Sequence, residues 1–284
     1  MTLFDRQYRF SFGPAGGAGS EIGATTPDSP TAIRINFNIE KADCENPNNA
    51  RFSLWNLNPQ HLAMLNEKDC VVQLRAGYGN HMSLCFTGVI TFINTIMDGG
   101  DRETILEACD GRVALRDTYV SLSYSGVVSG RTVVNDIAAQ MGLAVTHSHN
   151  VVLADIPHGF SFVGLGRVGL DKAVASSGAQ WQIYNGVLQI KNHRDTMNRQ
   201  VYTLSAETGL IRIPKRITFS EAESGVGDEM GWEVDYLLNG AIGIGDFVHL
   251  DSNRVQGHFR VRSIEMNGDS LQGEWICTAR LIEA

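Results

Sequence analysis

RFSLWNLNPQHL, residues 51–62, changes its periodicity twice within twelve residues. RFSLW alternates like a strand. Asn58 stands where an N-cap belongs and Pro59 suits the first helical position. Leu62 and Leu65 then repeat at helical spacing. The strand pattern resumes in VVQLRAGY, residues 71–78. A strand, one or two turns of helix and another strand form one crossover module inside a β-rich chain. Upstream, IRINFNIEK, residues 33–41, alternates cleanly, with Ile33, Ile35, Phe37 and Ile39 on one side and Arg34, Asn36, Asn38 and Glu40 on the other. Such a pattern predicts a half-buried antiparallel strand. Residues 13–30, GPAGGAGSEIGATTPDSP, are small and polar and read as a long mobile connection. Downstream, LCFTGVITFINTIM and RETILEACDG continue the strands to about residue 116, separated by turn signals.

The middle of the chain differs. SGRTVVNDIAAQMGL, residues 129–143, carries Val133, Val134, Ile137, Ala138 and Met141 at helical spacing, with Gly142 as a stop. LDKAVASSG, residues 170–178, predicts a second short helix ended by Gly178. AQWQIYNGVLQIKN, residues 179–192, is a hairpin around an Asn-Gly turn. Strands return from residue 201. VQL, a glycine turn and Cys109 in the first part are matched by VHL, NGD and Cys277 in the last. This faint repeat predicts a mainly β fold, with β-barrel-like units at residues 1–117 and 201–284 flanking a small α/β unit at residues 118–200.

Composition narrows the function. The 284 residues are 43% hydrophobic and 19% charged, with a formal net charge of −8. That is a globular chain of two or three units. It lacks the basic stripe of a duplex-binding protein. The five cysteines, at positions 44, 70, 85, 109 and 277, have no CxxC spacing, which excludes a zinc knuckle. Those in apolar strand-like runs read as buried thiols made in a reducing cytosol. No secretory signal is visible, and no run approaches the ~20 apolar residues of a membrane span.

Several motifs imitate chemistry. Gly164, Gly166 and Gly169 have GxGxxG spacing, yet a short helix and a hairpin follow instead of a βαβ unit, so the reading is a glycine-rich turn. His147, His149, His158 and Asp155 sit in a polar loop and read as solvated, without the stiff frame a metal needs. Ser161 in GFSFVG misses the nucleophile elbow by one residue. Glu221 with Glu223, and Asp98 with Asp101, read as turn and strand-face charges rather than a glycosidase pair. Trp55, Trp181, Trp232 and Trp275 fall in strand patterns and read as packing residues. No catalytic, cofactor-binding or metal site is expected.

The order of blocks resembles a family. IRINFNIEK, NNARFSLWNLNPQHL, VVQLRAGYGN, CFTGVITFI, SGRTVVNDIAAQMGL, LDKAVASSGAQWQIYNGVLQI, TLSAETGLIRIPKRI, VDYLLNGAIGIGDFVHLDS and QGHFRVRSIEMNGDSLQGEWICTARL together resemble the baseplate hub of contractile-tailed bacteriophages and related injection machines. The resemblance implies two tube-type antiparallel β-barrels per chain and a virion structural protein assembled in the host bacterial cytoplasm. It implies a homotrimer forming a pseudo-six-fold ring. Its partners would be a tail tube or tube-adaptor hexamer on one face, a central spike trimer on the other and surrounding baseplate proteins. DNA would pass transiently through the channel, with no membrane insertion and no cofactor. The helix after Asn58 would close one side of a barrel. Asn36, Asn38 and Glu40 are candidates for a neutral or acidic channel wall. Two alternatives stay open: a hub-like protein with cell-wall hydrolase activity, and a β-rich carbohydrate-binding module.

Overall fold

The computed structural model describes residues 5–24, 31–43, 47–192, 195–197, 200–219 and 229–283. The first part carries β1 (Arg6–Pro14), β2 (Ser20–Ala24), β3 (Ile35–Ala42), β4 (Asn49–Trp55), α1 (Pro59–Leu65), β5 (Cys70–Tyr78), β6 (His81–Asp98) and β7 (Asp101–Cys109). The middle carries α2 (Arg112–Asp117), β8 (Tyr119–Tyr124), β9 (Val128–Ser129), α3 (Gly130–Gln140), β10 (Ala144–His147), β11 (Asp155–Ile156), β12 (Phe160–Leu165), α4 (Gly166–Val174), β13 (Ala179–Tyr184) and β14 (Val187–Asn192). The last part carries β15 (Val201–Leu204), β16 (Lys215–Phe219), β17 (Glu229–Leu237), β18 (Phe247–Asp251), β19 (Gln256–Asp269) and β20 (Trp275–Glu283). Two compact units result. The larger comprises Met1–Asp43, Asn48–Cys109 and Arg199–Ala284; the smaller comprises Cys44–Pro47 and Asp110–Asn198.

In the larger unit, local patterns produce the expected elements. Ile35, Phe37 and Ile39 are buried while Asn36 and Glu40 are exposed, as period two requires. Asn58 Oδ1 accepts from the His61 N–H at 2.7 Å, capping α1 with Pro59 in its first turn. Leu65 of α1 is buried, and His61 meets the Phe12 ring edge-on at 5.3 Å. The helix thus links β4 to β5 and packs beside β1.

Two separate barrels do not form. Thirteen strands make one sheet in the order β16-β17-β20-β19-β3-β4-β7-β6-β5-β1-β2, with β18 beside β19 and β15 beside β18. The ends of this path, β16 and β2, are not paired with each other, so the sheet stays open. The cause is a long-range pairing. Asn36–Ala42 of β3 runs antiparallel to Ser263–Asp269 of β19. Asn38 Nδ2 donates to Asn267 Oδ1 at 2.8 Å, across 229 residues of sequence. The edge expected to close a first barrel is taken by a strand of the last third. α1 accordingly closes no barrel.

The described part of residues 13–30 is also firmer than its composition implies. β1 and β2 form a hairpin, with Tyr8 opposite Ala24 and Phe12 opposite Ser20. A Cβ on Gly23 would lie 2.4 Å from the Tyr8 carbonyl oxygen, so this glycine serves close strand approach rather than mobility. Residues 25–30 lie outside the described residues.

The faint repeat appears as a repeated topology. β3-β4-β7-β6-β5 and β16-β17-β20-β19-β18 are the same five-strand order. Each copy bulges at the same step: β6 between Ile90 and Phe92 against β7, and β19 between Val261 and Ser263 against β20. Matching the bulges aligns Phe92 with Ser263, a different register from the Cys109–Cys277 correspondence read in the sequence.

The smaller unit buries Val133, Val134, Ile137 and Ala138 of α3 against Leu170, Ala173 and Val174 of α4. β13 and β14 form the expected hairpin, with Asn185 and Gly186 at positive φ in its turn. Asp110 accepts from both turn N–H groups, at 2.5 Å from Asn185 and 3.0 Å from Gly186.

Candidate assembly surface

The open sheet of the larger unit has one apolar and one polar face, because cross-strand partners share a face. Phe37, Phe52, Leu54, Leu106, Met266, Trp275, Cys277 and Leu281 fill the buried side. Trp275 anchors it: its indole N–H donates to the Gly77 carbonyl at 3.1 Å, and Phe37 meets it edge-on at 5.2 Å. Burial pushes the Cys277 thiol up to about 12 and the Cys85 thiol up to about 11, so both are inert at neutral pH.

The other face is ruled in rows of polar side chains. One row runs Asp235, Thr278, Glu265, Glu40, Asn49; the next runs Leu237, Ile276, Asn267, Asn38, Arg51, Glu107, Phe92. The rows are stitched together. Thr278 donates to Asp235 at 2.8 Å, Asn267 Nδ2 donates to Glu265 at 2.9 Å, and Lys215 and Arg280 lie 3.2 and 3.6 Å from Glu233. Carboxylates outnumber cations here only narrowly: Glu40, Glu103, Glu107, Glu233, Asp235, Glu265 and Asp269 against Arg34, Arg51, Arg212, Lys215 and Arg280. A shallow recess of about 180 Å³ lies among Asn38, Glu40, Arg51, Thr91 and Glu107. Nothing in it pairs a nucleophile with a base.

The seam between the two five-strand motifs is heavily reinforced. Arg34 binds Asp269 at 2.8 Å, and Arg260 binds Asp43 at 2.5 Å with the guanidinium almost fully buried. Burial acts to raise the Asp269 carboxyl. Hydrogen bonds from Arg34 and from the Leu271 and Gln272 N–H groups outweigh it and hold the group below the usual carboxylate range.

The remaining motifs are dispersed. Gly164 ends β12, which pairs antiparallel with β8, and Gly166 and Gly169 lie within α4 against Met141 and Phe162. This is close helix packing, not a phosphate loop. His147 lies on β10, 3.3 Å from Asn135, and its imidazole is held below the ordinary value by burial and by Arg131. His149 and His158 are exposed in separate turns. Among the described residues no group of three or more His, Cys, Asp or Glu is placed to hold a metal ion. Ser161 shares a 3.1 Å hydrogen bond with Ser123 across β12 and β8. Trp181 donates to Asp171 at 2.8 Å, Arg34 stacks on Trp55 at 4.3 Å, and Arg216 and Arg254 both approach Trp232. Asp101 accepts from Asn56 at 2.9 Å in the β6–β7 turn. Glu221 and Glu223 lie outside the described residues. Sequence reasoning missed the exposed Phe92, Ile96 and Met97; their interruption of a polar alternation was the available signal.

The larger unit is thus an open sheet with a duplicated motif and one polar face. Residues 37–279 match the family Baseplate hub gp41, and the chain belongs to that family. It is therefore a structural component of a tail baseplate. Solved structures share the fold. The prophage MuSo2 43 kDa tail protein from Shewanella oneidensis superposes with a TM-score of 0.66 at 9% identity, over 98% of this chain and 97% of that one. A tail protein from Neisseria meningitidis MC58 gives 0.61 at 14% identity, over 97% and 96%. The E. coli c3393 protein, a component of the type VI secretion system, gives 0.59 at 7% identity, over 91% and 76%. No curated protein matches by sequence.

Proposed function

We propose that the chain assembles as a homotrimer whose ring joins a six-fold tail tube on one face to a three-fold central spike on the other. The duplicated five-strand motif carries this reading. Two equivalent motifs per chain give six in a trimer, so a three-fold ring presents pseudo-six-fold symmetry to a tube. DNA passes through the channel. The acidic rows around Asn36, Asn38 and Glu40 line it and repel the phosphate backbone, so no counterion-releasing grip slows the passage. The repulsion is short-ranged, screened over about 8 Å at physiological salt. Light scattering on the chain co-produced with its tube and spike proteins tests the ring. The expected hub mass is about 93 kDa, three times the 31.0 kDa chain. A hub that stays monomeric beside both partners overturns the reading.

A further inference from the structure

The seam inside the chain specifies a second seam between chains. Matching the two motifs on their bulges places Asn94 at the position of Glu265 and Ile96 at that of Asn267. Across the neighbouring strands, Arg51 faces Glu107 and Asn38, whereas Glu233 faces Arg280 and Lys215. Lys215 therefore occupies the position of Asn38, and Ile217 that of Glu40. In the chain, those β3 positions pair with β19, Asn38 opposite Asn267 and Glu40 opposite Glu265. Their counterparts have no such partner. Among the described residues, β6 past Val89 pairs with β7 alone, and β16 pairs with β17 alone.

The bare edge of β6 carries an unusual load of apolar surface. Phe92, Ile96 and Met97 are 49%, 40% and 69% exposed on β6. Apolar side chains gathered on an unpaired edge mark a surface that is covered in use. The charges of β16 do not guard it, because Lys215 is already held by Glu233 on its own sheet face. The faces also agree. Phe92, Asn94 and Ile96 lie on the polar face opposite Glu107, Ile105 and Glu103, and Lys215 and Ile217 lie on it opposite Glu233 and Gly231. A one-residue slip would set the two faces against each other.

We infer that β16 of one copy pairs antiparallel with residues 90–98 of β6 in the next copy, with Lys215 opposite Ile96 and Ile217 opposite Asn94. The contact is head to tail, so it repeats around a ring and uses different surfaces on the two sides. The polar rows then continue from copy to copy. This inference rests on the ring reading and names the surfaces that close it.

Paired cysteines test it in the full-length chain co-produced with tube and spike proteins. Asn94→Cys with Ile217→Cys, oxidised with diamide, is expected to give covalent dimers and trimers on a non-reducing gel, with each single variant staying monomeric there. Opposed antiparallel residues lie about 4.5–5.5 Å apart at Cα, within disulfide reach. Thr95→Cys with Arg216→Cys, the adjacent pair in the same register, serves if the first double variant misfolds. Assembled trimers that give no ladder with either pair, or that cross-link equally well with Asn94→Cys and Thr218→Cys, overturn the strand pairing and leave the ring standing. A chain that never assembles beside its partners overturns both.

Discussion

The two edges of the repeated motif differ in how they are finished. Where β3 meets β19, the chain supplies Arg34–Asp269, Arg260–Asp43 and the Asn38–Asn267–Glu265 cluster, and Gly268 makes room for Phe37 and Trp275. Where β6 would meet its counterpart, Met97 stands in the position of Gly268, exposed. One seam is locked by buried charge and close packing. The other presents apolar side chains and bare backbone. A duplicated motif can thus lock one junction and leave its counterpart open, by changing side chains and not topology.

The largest break in this contrast comes from the locked seam. Asp43→Ala leaves the buried Arg260 guanidinium without its carboxylate and is expected to cost about 3–5 kcal/mol in urea unfolding. A loss below about 1 kcal/mol would show that the pair contributes little to the seam. Gly268→Ala is next. An added Cβ would lie 2.3 Å from the Phe37 ring and 2.8 Å from Trp275, so a loss of about 1–3 kcal/mol is expected in the same measurement.

A third change compares the motifs at one buried position. Through β18 and β5, Asp246 aligns with Cys70 of the first motif, and both are buried. Burial raises the Asp246 carboxyl from 3.8 to about 6, against a smaller opposing effect of the Gly243 N–H. Because the folded value is the higher one, charging this group costs stability as pH rises from about 4 through 6, and the full cost persists above 6. Asp246→Asn keeps an acceptor for Gly243 and is expected to stabilise the chain by about 1–2 kcal/mol at pH 8, with the gain gone below pH 4. A pH-independent effect in thermal melts contradicts the assignment.

The smallest effects belong to the open edge and to the histidines of the smaller unit. Ile96→Lys changes an exposed position and should leave monomer stability within about 0.5 kcal/mol while abolishing the hub trimer in light scattering. Replacing His149 and His158 by Ala should also stay within about 0.5 kcal/mol, because both are exposed, and adding His147→Ala, half-buried on β10, should cost about 1 kcal/mol at most. Stoichiometric zinc in the wild type, lost in that variant, contradicts this.

What was legible in the sequence was local. The alternation of residues 33–40, the Asn58–Pro59 helix start, the apolar stripe of α3 and the Asn-Gly hairpin each rest on neighbours a few residues apart. The single sheet was not legible, because nothing around Asn38 names Asn267 as its partner. An exposed alternating strand looks the same whether it closes a barrel or joins a distant motif. Glycines 13, 19 and 23 misled for a related reason. Glycine permits both mobility and close strand contact, and only the facing backbone decides between them: the Tyr8 carbonyl at Gly23, the Phe12 carbonyl at Gly19 and Gly19 itself at Gly13. Asn36, Asn38 and Glu40 were read onto a polar face, and they do lie there beside Ser53, Arg51 and Asn49.

The union of β3 with β19 also shapes how the molecule is made. Their side chains meet across separations as large as 229 residues, so this step has one of the highest contact separations in the chain. Such contacts form late, after the local hairpins, because loop entropy opposes them until the rest has collapsed. Until then β3 has a vacant edge, and β19 of any neighbouring chain matches it as well as its own. Crowded nascent chains can therefore exchange this strand and yield interlocked pairs built from native contacts. Refolding yield should fall as chain concentration rises, and a host making many hubs at once would gain from separating their synthesis in space or time.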